Sequence, residues 1–192
     1  MEKKWVGQLR KELDNYGIDG FVAHEIIEPT REWVDEIEKG LNSCDALAAI
    51  LHEKFHSSNW TDQEVGVCVG RKVPILPVMI GMTPYGFIGK YQGLKVGKMT
   101  VAEVADKIFD ILANNPLTAQ KIAEAAVSQF EESQNFRRAI DNSYVLQRVT
   151  AWNSELLTRI STAKEKNSQV EKAHGMDARV NAILRANTGR TS

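Results

Sequence analysis

Apolar positions recur along this chain with two periods, and the place where one period gives way to the other divides it. Trp5, Leu9, Leu13 and Tyr16 form a stripe at helical spacing over residues 3–16, which Gly17 ends. The short apolar run Ile18–Ala23 is a strand candidate. Residues 24–29 read as a loop, because Pro29 disfavours helix in the residue before it. Thr30 is a suitable N-cap for a helix to about Leu41, with Trp33, Ile37 and Leu41 inward. Asp45–Leu51 is apolar throughout after its first residue, the pattern of a strand buried on both faces in a parallel sheet. A helix from about Trp60 to Gly70 follows, then a second buried strand over Val73–Ile80. Pro74 and Pro77 each remove a ladder donor, so that strand is expected near an edge or irregular. Gly81 to Gly97 holds five glycines, with a weak strand near Ile88–Leu94. Thr100-Val101-Ala102-Glu103 is a capping box. It opens a helix with Val104, Ile108, Ile111 and Leu112 inward, ending before Pro116.

Strands alternating with helices predict an α/β domain with a parallel sheet over residues 1–115. From Leu117 to Ala186 only the helical period remains. Its stripes are Ile122, Ala126 and Phe130; Phe136, Ile140 and Tyr144; Trp152, Leu156 and Ile160; Val180, Ile183 and Leu184. Residues 116–186 are therefore an all-α appendage, and 187–192 a polar tail expected to be disordered.

Composition narrows the function classes. The chain is 43% hydrophobic and 26% charged with net charge −1, so no electrostatic pull toward nucleic acid or an anionic membrane is expected. Cys44 and Cys68 sit in apolar runs, as small buried hydrophobes rather than a disulfide framework. No apolar stretch is long enough to span a bilayer, and the charged N-terminus is not a signal peptide. A cytoplasmic location is the expectation.

Ser58–Glu64 carries the candidate chemistry. Asn59 or Ser58 can cap the first turn, and Asp62 sits where the helix dipole favours a negative charge. Trp60 and Glu64, four apart, share one face. An aromatic plane beside a carboxylate suits a nucleotide: the ring covers a sugar or base, and the carboxylate holds hydroxyls or stabilises a developing cation. The same spacing also fits a Trp that caps the core and a Glu that is a solvated surface charge. His52-Glu53-Lys54-Phe55-His56 matches H-E-x-x-H, which binds zinc only when both histidines share a regular helix and a third ligand arrives. Here a strand leads into His52 and Ser57-Ser58-Asn59 interrupts any helix, so both are read as loop residues and no metal is expected. Neither a dinucleotide fingerprint nor a P-loop occurs, and Gly66 and Gly70 are read as sites of close helix–sheet packing.

Five segments occur in the order seen in bacterial TIR (Toll/interleukin-1 receptor) domains: FVAHEIIEPTREW (21–33), SCDAL (43–47), WTDQEVG (60–66), GRKVPI (70–75) and PYGFIGKYQ (84–92). The resemblance covers residues 1 to about 113 and implies a flavodoxin-like α/β fold. Trp60 to Glu64 resembles the W-x-x-x-E motif of bacterial TIR proteins, and is similar to the segment that carries the catalytic glutamate of NAD-cleaving members. The resemblance makes Glu64 catalytic and Trp60, His24 and Pro29 substrate-binding. His24–Thr30 falls where the family has its BB loop, which gates the nucleotide site and mediates TIR–TIR contacts.

What the resemblance implies is cleavage of the nicotinamide–ribose bond of NAD⁺, with NAD⁺ as substrate and no retained cofactor. It also implies self-association through TIR domains and a place in bacterial antiphage signalling. The alternative is a non-catalytic module that binds other TIR domains through the His24–Thr30 loop. Family members open with a central strand and its loop, whereas Met1 here stands at the first helix, so the domain is expected to be incomplete, its first strand absent. Without that strand, those at Ile18–Ala23 and Asp45–Leu51 would each present an unpaired edge.

Overall fold

The computed structural model describes residues 2–22, 31–57 and 60–187. They fall into two compact units, Met1–Leu9 with Phe21–Val104 and Arg10–Gly20 with Ala105–Ser192.

In the first unit, helix α1 (Glu2–Asp14) begins, and α2 (Arg31–Ser43) leads into strand β1 (Leu47–His52). A 3-10 turn at Phe55–Ser57 precedes α3 (Thr61–Arg71), then come β2 (Ile75–Ile80), a 3-10 turn at Gly86–Ile88 and β3 (Leu94–Lys95). Helix α4 (Val101–Ala113) starts on the expected capping box. Thr100 N–H donates to Glu103 Oε2 at 2.7 Å, and Glu103 N–H to Thr100 Oγ1 at 3.2 Å.

The strands form a parallel sheet in the order β1-β2-β3, with Leu47 opposite Ile75 and His52 opposite Ile80. The core between β1, β2 and α3 contains Ala49, Leu51, Phe55, Val65, Cys68, Ile75 and Ile88. Burying aliphatic and aromatic side chains of this size stabilises a fold by about 1.5–3 kcal/mol each.

Four expectations change here. Ile18–Val22 is not a strand. Gly20 lies against the side chain of Arg10, and the ring of Phe21 rests over Gly40 of α2, so these residues pack on helices instead of pairing. β1 is not buried on both faces: Ala49 and Leu51 are buried and Ala48 is exposed. β2 occupies the middle of the described sheet despite Pro77. Met79 C=O accepts from Val96 N–H on the β3 side, so Pro77, two residues earlier, turns its nitrogen the same way. Pairing with β3 begins only at Val78, and the missing donor falls beyond the end of that ladder. Finally, a Cβ added at Gly66 or Gly70 would meet no described atom within 4 Å. These glycines are not sites of close packing; α3 turns Val65 and Cys68 inward instead.

The second unit is helical, as expected for the C-terminal region: α5 (Ala119–Glu131), α6 (Phe136–Leu146), α7 (Ser154–Lys166), the short α8 (Ser168–Glu171) and α9 (Met176–Asn187). Phe109, Phe130, Leu146, Leu156, Ile160 and Met176 lie at its centre. Asn135, Asn153 and Asn167 cap α6, α7 and α8, each accepting a backbone N–H. Arg148 bridges Asp106 at 2.7 Å and Asp110 at 2.6 Å, with its guanidinium over the Phe109 ring. The stripe Phe136, Ile140, Tyr144 is not the buried face of α6: Phe136 and Tyr144 are exposed. The inward face is Ala139, Asn142, Ser143 and Leu146. Among the described residues no helix is long and apolar enough to cross a membrane.

Candidate active site

The parallel strands fix where a site can form. In an open α/β sheet, ligands bind outside the carboxyl ends of the strands. β1 ends at His52, and the chain from there to Trp60 carries it to the start of α3, so that start stands at the carboxyl end of β1.

Trp60 itself occupies the N-cap position of α3, with φ −101° and ψ −35°. Ser58 and Asn59, the expected caps, lie outside the described residues. Glu64 N–H donates to Trp60 C=O at 2.9 Å, which stacks the two residues one turn apart on one face. Both are half-buried. Cys68, the next residue along this stripe, is fully buried. His24 and Pro29, and the whole loop His24–Thr30, lie outside the described residues.

Three further contacts fix the start of the helix. Thr61 Oγ1 donates to Phe55 C=O at 2.8 Å, tying the first turn to the 3-10 turn after β1. The Tyr85 hydroxyl donates to Asp62 Oδ1, tying the same turn to the segment after β2. The His56 ring lies on Tyr85 with centroids 3.8 Å apart, and Phe55 meets Tyr85 edge-on at 6.2 Å. Burial, and then the Asp62 carboxylate beside it, push the Tyr85 hydroxyl up to about 12. Tyr85 therefore holds together the rims of β1 and β2 and the opening of α3. In the sequence Tyr85 stands only within the PYGFIGKYQ segment, and no local pattern pairs it with Asp62, 23 residues away.

The histidines of H-E-x-x-H take different places. His52 ends β1, and its Nδ1 accepts Lys54 N–H at 3.2 Å. His56 stands in the 3-10 turn, against Tyr85. The spacing thus falls on a strand end and a tight turn, where i and i+4 do not share a helix face. Among the described residues no group of three or more His, Cys, Asp or Glu side chains is placed to hold a metal ion.

Chemically, the arrangement offers an aromatic surface and a half-buried carboxylate side by side, on a helix braced at its first turn from two strand ends. That suits a ligand with a flat ring and hydroxyls, and a reaction that develops positive charge.

Searches of curated proteins and of solved structures each return no match. A family model described as a TIR domain matches residues 1–112. With more than half of the sequence matched, in a region where a parallel sheet and helices alternate, the chain belongs to the TIR domain family.

Proposed function

We propose that this protein hydrolyses NAD⁺ at the bond between nicotinamide and ribose, with Glu64 as the catalytic residue. The observation that carries the reading is the placement of Trp60 and Glu64, one turn apart at the carboxyl rim of a parallel sheet.

The chemistry asks for little more. Nicotinamide is bound in NAD⁺ as a cationic pyridinium and leaves as a neutral molecule, so its departure needs no general acid. As the C1′–N bond breaks, the ribose acquires oxocarbenium character, and a carboxylate nearby stabilises that charge while holding the ribose hydroxyls. Ordinary glycosidases need two carboxylates because their leaving group must be protonated. Here one is sufficient. Trp60 supplies a flat wall for the ribose or a ring, and water takes the place of nicotinamide at C1′. His24 and Pro29 belong, in this reading, to the loop that closes over the nucleotide. NAD⁺ is consumed, and neither a retained cofactor nor a metal takes part.

TIR domains commonly act as assemblies, and in this reading self-association precedes activity, within signalling of the antiphage kind. The test is chromatographic detection of nicotinamide after incubating NAD⁺ with the folded, self-associated protein. Release of nicotinamide with ADP-ribose or its cyclic form supports the proposal. Its absence, with self-association intact, replaces the enzyme by a TIR–TIR interaction module.

A further inference from the structure

Trp60, Glu64 and Cys68 follow one another at four-residue intervals along α3, and at the end of that stripe Cys68 meets the only other cysteine in the chain. Cys44 Sγ and Cys68 Sγ are 4.0 Å apart. The two thiols differ in access. Cys68 is fully buried on a regular helix, while Cys44 is partly exposed and lies just past the end of α2.

Arg71, one turn along α3, reaches across to the same place. Its Nη1 stands 3.2 Å from Cys44 Sγ, donates to Cys44 C=O at 3.1 Å, and also contacts Leu41 C=O. The end of α2 is thus already held to α3 by one side chain, with the two sulfurs beside it. A disulfide needs the sulfurs to approach to about 2.05 Å, so roughly 2 Å separates the pair from bonding. Cys44 stands just past the end of α2, outside regular structure, so the closing movement falls to its side chain rather than to Cys68 on the helix.

We propose that Cys44 and Cys68 are a reactive thiol pair that a peroxide closes to a disulfide, tying the end of α2 to the helix that carries Glu64. Cys44 sulfur attacks one peroxide oxygen. The O–O bond breaks, an S–O bond forms, and the Cys44 proton leaves with the other oxygen as water or alcohol. Cys44 is then a sulfenic acid, oxidised by two electrons, and the peroxide is reduced. Cys68 sulfur next attacks Cys44 sulfur; the S–O bond breaks, and hydroxide takes the Cys68 proton to leave as water. In sum, two thiols and one peroxide give one disulfide and two molecules of water, or one of water and one of alcohol. Burial, and then the neighbouring Cys44, push the Cys68 thiol up to about 12, with Glu64 a smaller contributor in the same direction. Cys68 is fully buried and Cys44 partly exposed, so Cys44 is the sulfur that peroxide reaches first.

The experiment needs no assay of NAD⁺ cleavage and is independent of the function proposed above. The full chain is treated with excess hydrogen peroxide, its free thiols are alkylated under denaturing conditions, and its intact mass is measured. With two cysteines in the sequence, any intramolecular disulfide is this one. The expected product is a monomer lighter by two hydrogens, with no alkylatable thiol. Its thermal transition is expected to rise by roughly 5–10 °C and to revert on reduction. Cys68→Ser should stop at a Cys44 sulfenic acid that dimedone traps, and Cys44→Ser should keep Cys68 as a free thiol. The proposal is overturned if wild type ends with Cys44 overoxidised or joined to a second chain while Cys68 remains alkylatable. It is equally overturned if both thiols survive peroxide that oxidises a small free thiol. Should either variant fail to fold, the wild-type mass alone decides.

Discussion

Replacing Tyr85 by Phe removes one oxygen and leaves the ring in place against His56 and Phe55. The loss is the hydrogen bond to Asp62, which braces the first turn of α3. A hydrogen bond to a charged group contributes about 1.5–3 kcal/mol when shielded, but Asp62 is exposed, and solvent reduces this to about 0.5–1 kcal/mol. For a chain of this size that is a fall of roughly 1–4 °C in Tm at neutral pH. If the same energy goes into holding the Glu64 turn in place, nicotinamide release falls about two- to fivefold. The pH dependence separates the hydroxyl from any general loosening. Because burial and Asp62 raise the hydroxyl above its ordinary value of 10.0, to about 12, its stabilising effect is complete below pH 10. It is lost as pH climbs through 12. The wild-type protein should therefore give up its advantage over Tyr85→Phe between about pH 10 and 12. The assay is thermal unfolding of both proteins at pH 8 and at intervals up to pH 12, or to the highest pH at which both remain folded. An advantage that stays constant over that range, or that is absent at pH 8, refutes the account of this contact.

Glu103→Gln should lower the urea midpoint at pH 7, and by progressively less as the pH is taken down below 4.5. Hydrogen bonds from Thr100 hold the Glu103 carboxyl below its ordinary 4.5, so its contribution is present above that value and disappears as pH falls. Asn167→Ala removes the α8 cap together with donations to Glu131 C=O and Ser133 C=O, and is expected to cost about 1–3 kcal/mol, read as a shifted denaturation midpoint with unchanged slope. Elemental analysis of the purified protein should find no stoichiometric zinc; about one zinc per chain, lost on His52→Ala, would contradict the placement of His52 at a strand end and His56 in a turn.

What the sequence made legible was local. The Trp60/Glu64 face follows from helical spacing alone, and the Thr100/Glu103 box from residue types three apart, and both stand in the structure. The features that escaped depend on distant partners or on faces that periodicity cannot orient. Ile18–Val22 has strand-like composition, yet Phe21 finds Gly40 of α2, and packing decides. The apolar stripe of α6 faces out because its inner face is built from Ala139 and from Asn142 and Ser143, whose polar groups are satisfied internally. Asn142 Nδ2 donates to Gln129 C=O at 2.7 Å and to Ser133 Oγ at 3.0 Å, and Ser143 Oγ to Ile140 C=O at 2.6 Å. A small polar face of this kind does not register as core in a hydrophobic pattern. Likewise the Tyr85–Asp62 bond and the meeting of Cys44 with Cys68 join segments 23 and 24 residues apart, with nothing in either segment to announce the other.

The central claim is that one particular carboxylate at the start of α3 does the chemistry. Asp62 and Glu64 lie two residues apart on the same helix, but only Glu64 shares a face with Trp60, while Asp62 is engaged by Tyr85. The most direct measurement is nicotinamide release from NAD⁺ by wild type, Glu64→Gln and Asp62→Asn, at equal concentration and with unfolding transitions confirmed for all three. The account predicts release by wild type, a loss of about 100-fold or more in Glu64→Gln, and Asp62→Asn within about fivefold of wild type. Equal release by wild type and Glu64→Gln, or a larger loss from Asp62→Asn than from Glu64→Gln, would contradict it.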